Sequence, residues 1–185
     1  MQVPQKNTRY TYNEYCAWDE SERWELIDGV PYAMSPAPTP THQGISVRLT
    51  VQLGNFLKGK QCKLFTAPFD VRLNADGDDN TVVQPDLVVI YDHSKIDDNG
   101  CVGAPDLIIE ILSPSTARHD RMVKLQQYRQ AGVREYWIVD PETKTVQVCI
   151  LDGGRYFTTV YADTDNAPVS VLPGCEIDLS DVFIW

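Results

Sequence analysis

Apolar positions follow two rhythms along this chain, and the changes between them predict its elements. In HQGISVRLTVQLGNFLKG, residues 42–59, Ile45, Leu49, Leu53 and Phe56–Leu57 recur near every fourth position. That spacing predicts the first substantial helix, with Thr41 as its N-cap. In ARHDRMVKLQQYRQAGV, residues 117–133, a second helix is predicted, with Met122–Val123 and Leu125 on its apolar side and Gly132 as its C-cap. Between them the runs KLFTAPFDVRL, TVVQPDLVVI and DLIIEILS are short, rich in Val, Ile and Leu, and bounded by Gly, Pro and Asp. They predict three strands, the first two separated by the loop NADGDDN and the last two by the loop HSKIDDNGCVGAP. REYWIVDP predicts a further strand, ended by Asp140–Pro141.

The flanks are weaker in pattern. TRYTYNEYCAWDESE predicts a short N-terminal helix, and WELIDGVPYAMS a hairpin turning at Asp28–Gly29. Pro36, Pro38 and Pro40 form a stiff connector. Beyond residue 142, TVQVCILDGGRYFTTVYA alternates as a hairpin about Gly153–Gly154, and VSVLPGCEIDL as an edge strand. Three consecutive strands predict a meander, and the helix after them a crossover that returns REYWIVDP to the same sheet. The expected fold is an α/β sandwich with a mixed central sheet flanked by helices. At 185 residues it forms one domain with a core at about 41–141, an N-terminal extension at 1–40 and a β-rich tail at 142–185.

Composition narrows the chemistry. Five scattered cysteines with no CxxC spacing argue against a disulfide framework and a zinc knuckle, and suit the cytoplasm. MQVPQKNTRYTY lacks an apolar signal region and no run approaches a membrane span, so an unexported, soluble protein is expected. A net charge of −10 disfavours non-specific nucleic-acid binding, although ARHDRMVK is a local basic island. No GxSxG elbow accompanies Ser113, Ser115, His119 and Asp120, which argues against a serine hydrolase.

Against that background Glu110 stands out, a carboxylate flanked by Ile108, Ile109, Ile111 and Leu112. Burying it unpaired costs several kcal/mol or so. It is either paired to an arginine, turned to water on an edge strand, or a ligand. Asp86, after Pro85, either caps a strand entrance or joins Glu110 across neighbouring strands to hold Mg²⁺ or Mn²⁺. Asp106 shares Glu110's strand parity but lies about 13 Å away, too far for a common ion. Asp120, Lys124 and Tyr128 recur every fourth residue, with Gln127 beside them, as a solvated stripe or as a lysine presented to the carboxylates.

The segments QPDLVVI, IIEILSPSTARHDRMVKLQQYRQAGVREYWIVDP and WELIDGVPYAMSPAPTPTHQGIS resemble the bacterial Uma-two family, restriction endonuclease-like members of the PD-(D/E)XK phosphodiesterase superfamily. The resemblance covers roughly residues 10–150. It implies a restriction-endonuclease-like core, metal-dependent cleavage of nucleic acid, and DNA as partner, with Pro85–Asp86 as the PD element and Glu110 as the second acid. Where that motif has lysine, this chain has Leu112, and Lys124 is the candidate replacement. Glu25 is either an exposed hairpin residue or a further metal ligand, and His42 a helix-start residue bonded to backbone, a phosphate contact or a support to the ligands. His42, Arg118, Arg121 and Tyr128 are the candidate substrate contacts. A homodimer is expected, with the hairpin and the final VFIW as a possible interface. A catalytically degenerate DNA-binding or structural module is the alternative, favoured by Leu112 and the negative charge.

Overall fold

The computed structural model describes residues 4, 8–18, 23–34, 37–74 and 79–184. Pro36, most of the NADGDDN loop, the DESE end of the N-terminal helix and Trp185 lie outside them.

A six-stranded sheet forms the centre, in the order Arg155–Ala162, Thr145–Asp152, Glu135–Asp140, Leu107–Ile111, Leu87–Ile90, Lys63–Thr66. The expected meander is its last three strands. Leu107–Ile111 and Glu135–Asp140 are the parallel pair that the crossover helix joins, and every other pairing is antiparallel. Leu87–Ile90 and Leu107–Ile111 are buried along their whole length, which is why they read as unbroken apolar runs. Side-chain alternation divides them between two cores. Leu87, Val89, Leu107 and Ile109 meet Ile45, Leu49 and Leu53 of the helix Pro40–Leu57. Val88, Ile90, Ile108 and Leu112 meet Tyr128 of the crossover helix together with Ile27, Val71 and Val83. Glu110 shares the parity of Ile108 and Leu112, so it belongs to the crossover-helix side.

A second six-stranded sheet, in the order Val30–Ala33, Trp24–Ile27, Val82–Val83, Val71–Arg72, Gly100–Val102, Ile96–Asp97, departs from expectation. KLFTAPFDVRL and TVVQPDLVVI each divide into two strands, one per sheet. Pro68 and Pro85 mark the breaks, because proline has no N–H to continue a ladder. The supposed loop HSKIDDNGCVGAP holds a small hairpin instead. Gly100 is essential there, since a Cβ at its φ of +131° would run into the Asp70 carbonyl. The Asp28–Gly29 turn is as expected, both residues having positive φ.

Four further expectations are corrected. The first long helix is capped by Thr39, which accepts from His42 N at 3.2 Å, because Pro40 fits the first helical position without losing a bond. The N-terminal helix covers only Tyr12–Tyr15. Glu176–Asp178 pairs with Asn166–Pro168 in a separate two-stranded sheet rather than edging the central one. Val182 and Phe183 lie in the core, which removes them from any exposed interface.

The crossover helix runs Ala117–His119, then a π-helical segment Asp120–Lys124, then Leu125–Ala131. The wider turn brings Asp120 and Lys124 inward and leaves Met122 exposed, contrary to expectation, while Val123 and Leu125 pack against the core as expected. Gly132 ends the helix in the left-handed conformation, as its position implied. Among the described residues no helix is long and apolar enough to cross a membrane.

Candidate active site

Gln84-Pro85-Asp86 links Val82–Val83 of the second sheet to Leu87–Ile90 of the central one, so Asp86 sits on the seam between the layers. Its Oδ2 accepts from Ile111 N at 2.7 Å, which ties it to the end of the strand carrying Glu110. His42, from the first turn of the long helix, brings Nε2 to 3.2 Å from the same oxygen. Burial alone would lower the His42 pKa, but the hydrogen bond and charge of Asp86 outweigh it and raise it.

Glu110 is neither paired to arginine nor turned to water. Its Oε1 accepts from Lys124 Nζ at 2.9 Å and from the Tyr128 hydroxyl at 2.7 Å. Lys124 Nζ also donates to Glu25 Oε1 at 2.8 Å and lies 3.7 Å from Asp120 Oδ1. Glu25 Oε1 takes a further bond from Gln84 N at 2.9 Å. Each of these charged side chains is at most 6% exposed. One ammonium is thus shared among three carboxylates. Burial works against its charge, yet the three acids hold the Lys124 pKa well above the ordinary lysine value. Burial raises the Glu110 and Asp120 carboxyls, with Lys124 opposing it at both, so these two acids are pressed toward their neutral forms.

Tyr128 is fully buried and holds Glu110 from behind, against Tyr136 at a centroid distance of 4.8 Å. Burial and the nearby Glu110 charge raise its pKa well above the ordinary value, which keeps it a hydroxyl donor. Tyr128→Phe is expected to cost about 1.5–3 kcal/mol, the range for a hydrogen bond to a charged group. Urea denaturation of the two proteins checks this; equal midpoints would mean that the hydroxyl contributes nothing.

These groups open onto a cleft of about 950 Å³ between the two sheets and the two helices, lined by Glu25, Asp86, Glu110, Asp120, Lys124, His42 and His119. Among the described residues, Glu25, Asp86 and Glu110 each engage one carboxylate oxygen and leave the other without a protein donor. Hard oxygen donors of this kind suit Mg²⁺ or Mn²⁺. Among the described residues, no three His, Cys, Asp or Glu side chains group to hold an ion. Glu25 grips Lys124 through Oε1 and has Oε2 left over. Two carboxylates still fit Mg²⁺, which keeps several waters and takes phosphate oxygens for the rest.

The other candidates lie apart. Arg118 is exposed beside a shallow depression with Ser115 and Met122. Arg121 is exposed and bonded to Asp140 at 2.7 Å and Gln147 at 3.0 Å. Gln84, which the sequence suggests is only a strand residue, bonds Arg23, Tyr15 and Asp70 through its side chain, and His119, considered only for a serine hydrolase, lines the cleft and tilts against Tyr32 at 4.8 Å. The step from Val82–Val83 to Leu87–Ile90 at QPD was the available signal for Gln84; His119 had none.

The chain matches the family Uma2, described as "Putative restriction endonuclease", over residues 11–180. It is 33% identical to the uncharacterized protein slr1290 of Synechocystis sp., over 83% of this chain and 80% of that one. A second Synechocystis protein, sll1609, also uncharacterized, is 28% identical over 86% and 90%. In fold it is similar to a crystal structure titled "a putative nuclease belonging to DUF820" from Anabaena variabilis, with a TM-score of 0.75 and 24% identity over 94% of this chain and 97% of that one. With a family match over nearly the whole chain and a curated relative 33% identical over most of it, the conclusion is that the protein belongs to the Uma2 family.

Proposed function

We propose that the protein is a metal-dependent endonuclease hydrolysing DNA phosphodiester bonds, with Asp86 and Glu110 holding Mg²⁺ or Mn²⁺ and Lys124 positioning the attacking water. One observation carries the reading. Lys124 Nζ lies 2.9 Å from Glu110, so a helix supplies the ammonium that Leu112, packed in the core, does not. When bound, the ion would lower the pKa of a water and offset phosphate charge. Lys124 has three N–H donors. Two go to Glu25 and Glu110; Asp120 Oδ1, at 3.7 Å, attracts the charge without accepting a hydrogen bond, so the third can hold a water and stabilise it as it loses its proton. His42 and Ile111 N fix Asp86, and Tyr128 fixes Glu110, so neither carboxylate has to reorganise. Two-fold pairing of subunits belongs to the proposal, because cutting both strands needs two sites. A reducing compartment suits cysteines that are all free among the described residues.

The clasp on Lys124 also favours a second reading, a nuclease fold that binds without cutting. Cleavage of plasmid and single-stranded DNA with Mg²⁺ or Mn²⁺ separates the two. The parent should nick DNA, and Asp86→Ala, Glu110→Ala and Lys124→Ala should not. Nicking that survives all three changes would overturn the assignment; metal binding without cleavage in the parent would favour the inert module.

A further inference from the structure

The cleft presents a problem of charge. Glu25, Asp86, Glu110 and Asp120 line it, and among its described lining residues Arg23 and Lys124 are the only Lys or Arg. Lys124 is buried and taken up by the carboxylates. Arg23 is exposed. It is the one such cation that a polyanion can reach.

Arg23 is also held in a fixed attitude. Its Nη2 and Nε both donate to Gln84 Oε1, at 2.8 and 3.2 Å. The far end of the same amide donates through Nε2 to Asp70 Oδ1 at 2.8 Å, and Tyr15 OH bonds that carboxylate at 3.2 Å. The amide can sit only one way round. A carboxylate accepts and a guanidinium donates, so nitrogen faces Asp70 and oxygen faces Arg23. Of the five guanidinium N–H groups, two serve Gln84. Among the described residues Nη1 donates to no protein group, and its fork is left for a ligand. Planar, bidentate donors of this kind match phosphate oxygens.

We infer that Arg23, oriented by Gln84 and Asp70, forms a subsite that grips a non-bridging oxygen of a nucleic-acid backbone phosphate at the cleft. The inference rests on the nucleic-acid reading above, but requires binding only. Gln84 is then a positioning residue, and its place in the Gln84-Pro85-Asp86 link couples the grip to Asp86.

The test is equilibrium binding of a labelled DNA duplex and of its single strand across a range of salt, with Ca²⁺ in place of Mg²⁺ to occupy the site. Thermal midpoints are measured alongside. Arg23→Gln should bind about tenfold more weakly and flatten the slope of log K against log salt by about 0.9 for the duplex, or about 0.7 for the single strand. Arg23→Lys should keep the slope and bind about threefold more weakly, lacking the fork. Gln84→Met should likewise keep the slope and lose affinity. A merely structural Arg23 would alter the midpoint and leave the slope alone, and that result overturns the proposal. So does an Arg23→Lys slope as flat as that of Arg23→Gln, or a parent that binds neither form of DNA. A parent that binds both but cuts neither would overturn the catalytic reading while the Arg23 slope still decides this one.

Discussion

A Lys124→Met variant is expected to lose about 3–5 kcal/mol of stability, the penalty for removing one partner of a buried ion pair. DNA cleavage should disappear with it. Methionine fills much the same space, so packing is not the issue. Glu25, Glu110 and Asp120 would remain in the same pocket with no cation between them. Gln84 N and the Tyr128 hydroxyl would still serve Glu25 and Glu110, which keeps the loss from growing further. The pH dependence should also change in a defined direction. In the parent, Lys124 has a folded pKa raised above its unfolded value, so its contribution is complete through neutral pH and fades only in strong alkali. Without the ammonium, burial and neighbouring acids both raise Glu110. A carboxyl raised in the folded state favours folding at low pH, and that support is lost as pH rises through the folded value. The variant should therefore be more stable at about pH 5 than at pH 8, and by a wider margin than the parent, where Lys124 opposes the rise of Glu110. Urea midpoints at both values measure this. A variant as stable as the parent at pH 8 would mean that the clasp contributes nothing.

Asp86→Asn should behave in the opposite way, with stability changed by about 1 kcal/mol or less and cleavage reduced on the order of 10³-fold. The amide oxygen can still accept from Ile111 N, so the link between the strands survives. What it cannot supply is the negative charge that a divalent ion requires. Thermal melting and plasmid nicking at saturating Mg²⁺ read the two quantities separately. Nicking at the parent's rate would remove Asp86 from the site.

How much of this was legible in the sequence differs residue by residue. Glu110 announced itself, because a charge inside a strand buried on both faces needs a partner. The fourfold spacing of Asp120, Lys124 and Tyr128 showed that they share a face. It did not show which way that face looks, since the inward rotation belongs to the π-helical segment, and helical periodicity carries no mark of it. The central sheet was readable because its strands are long and apolar. Val71–Arg72 and Val82–Val83 were not, because two residues are too few to display an alternation, and hydrophobic pattern does not record which sheet a strand joins. Pro68 and Pro85 were the only local signs of the change of layer. The pairing of Arg23 with Gln84 left no pattern, since it spans 61 residues.

The seam at Gln84-Pro85-Asp86 has a mechanical consequence. Asp86 adjoins the same sheet as Glu110 and is bonded to the end of that strand, whereas Glu25 belongs to the opposite sheet and Arg23 directly precedes its strand. If the two layers breathe, the groove changes width while the spacing of Asp86 and Glu110 stays put. Lys124, reaching from the crossover helix to an acid on each sheet, is the latch on that movement. Under the proposed nuclease activity, such a groove would admit nucleic acids of different girth without retuning its chemistry.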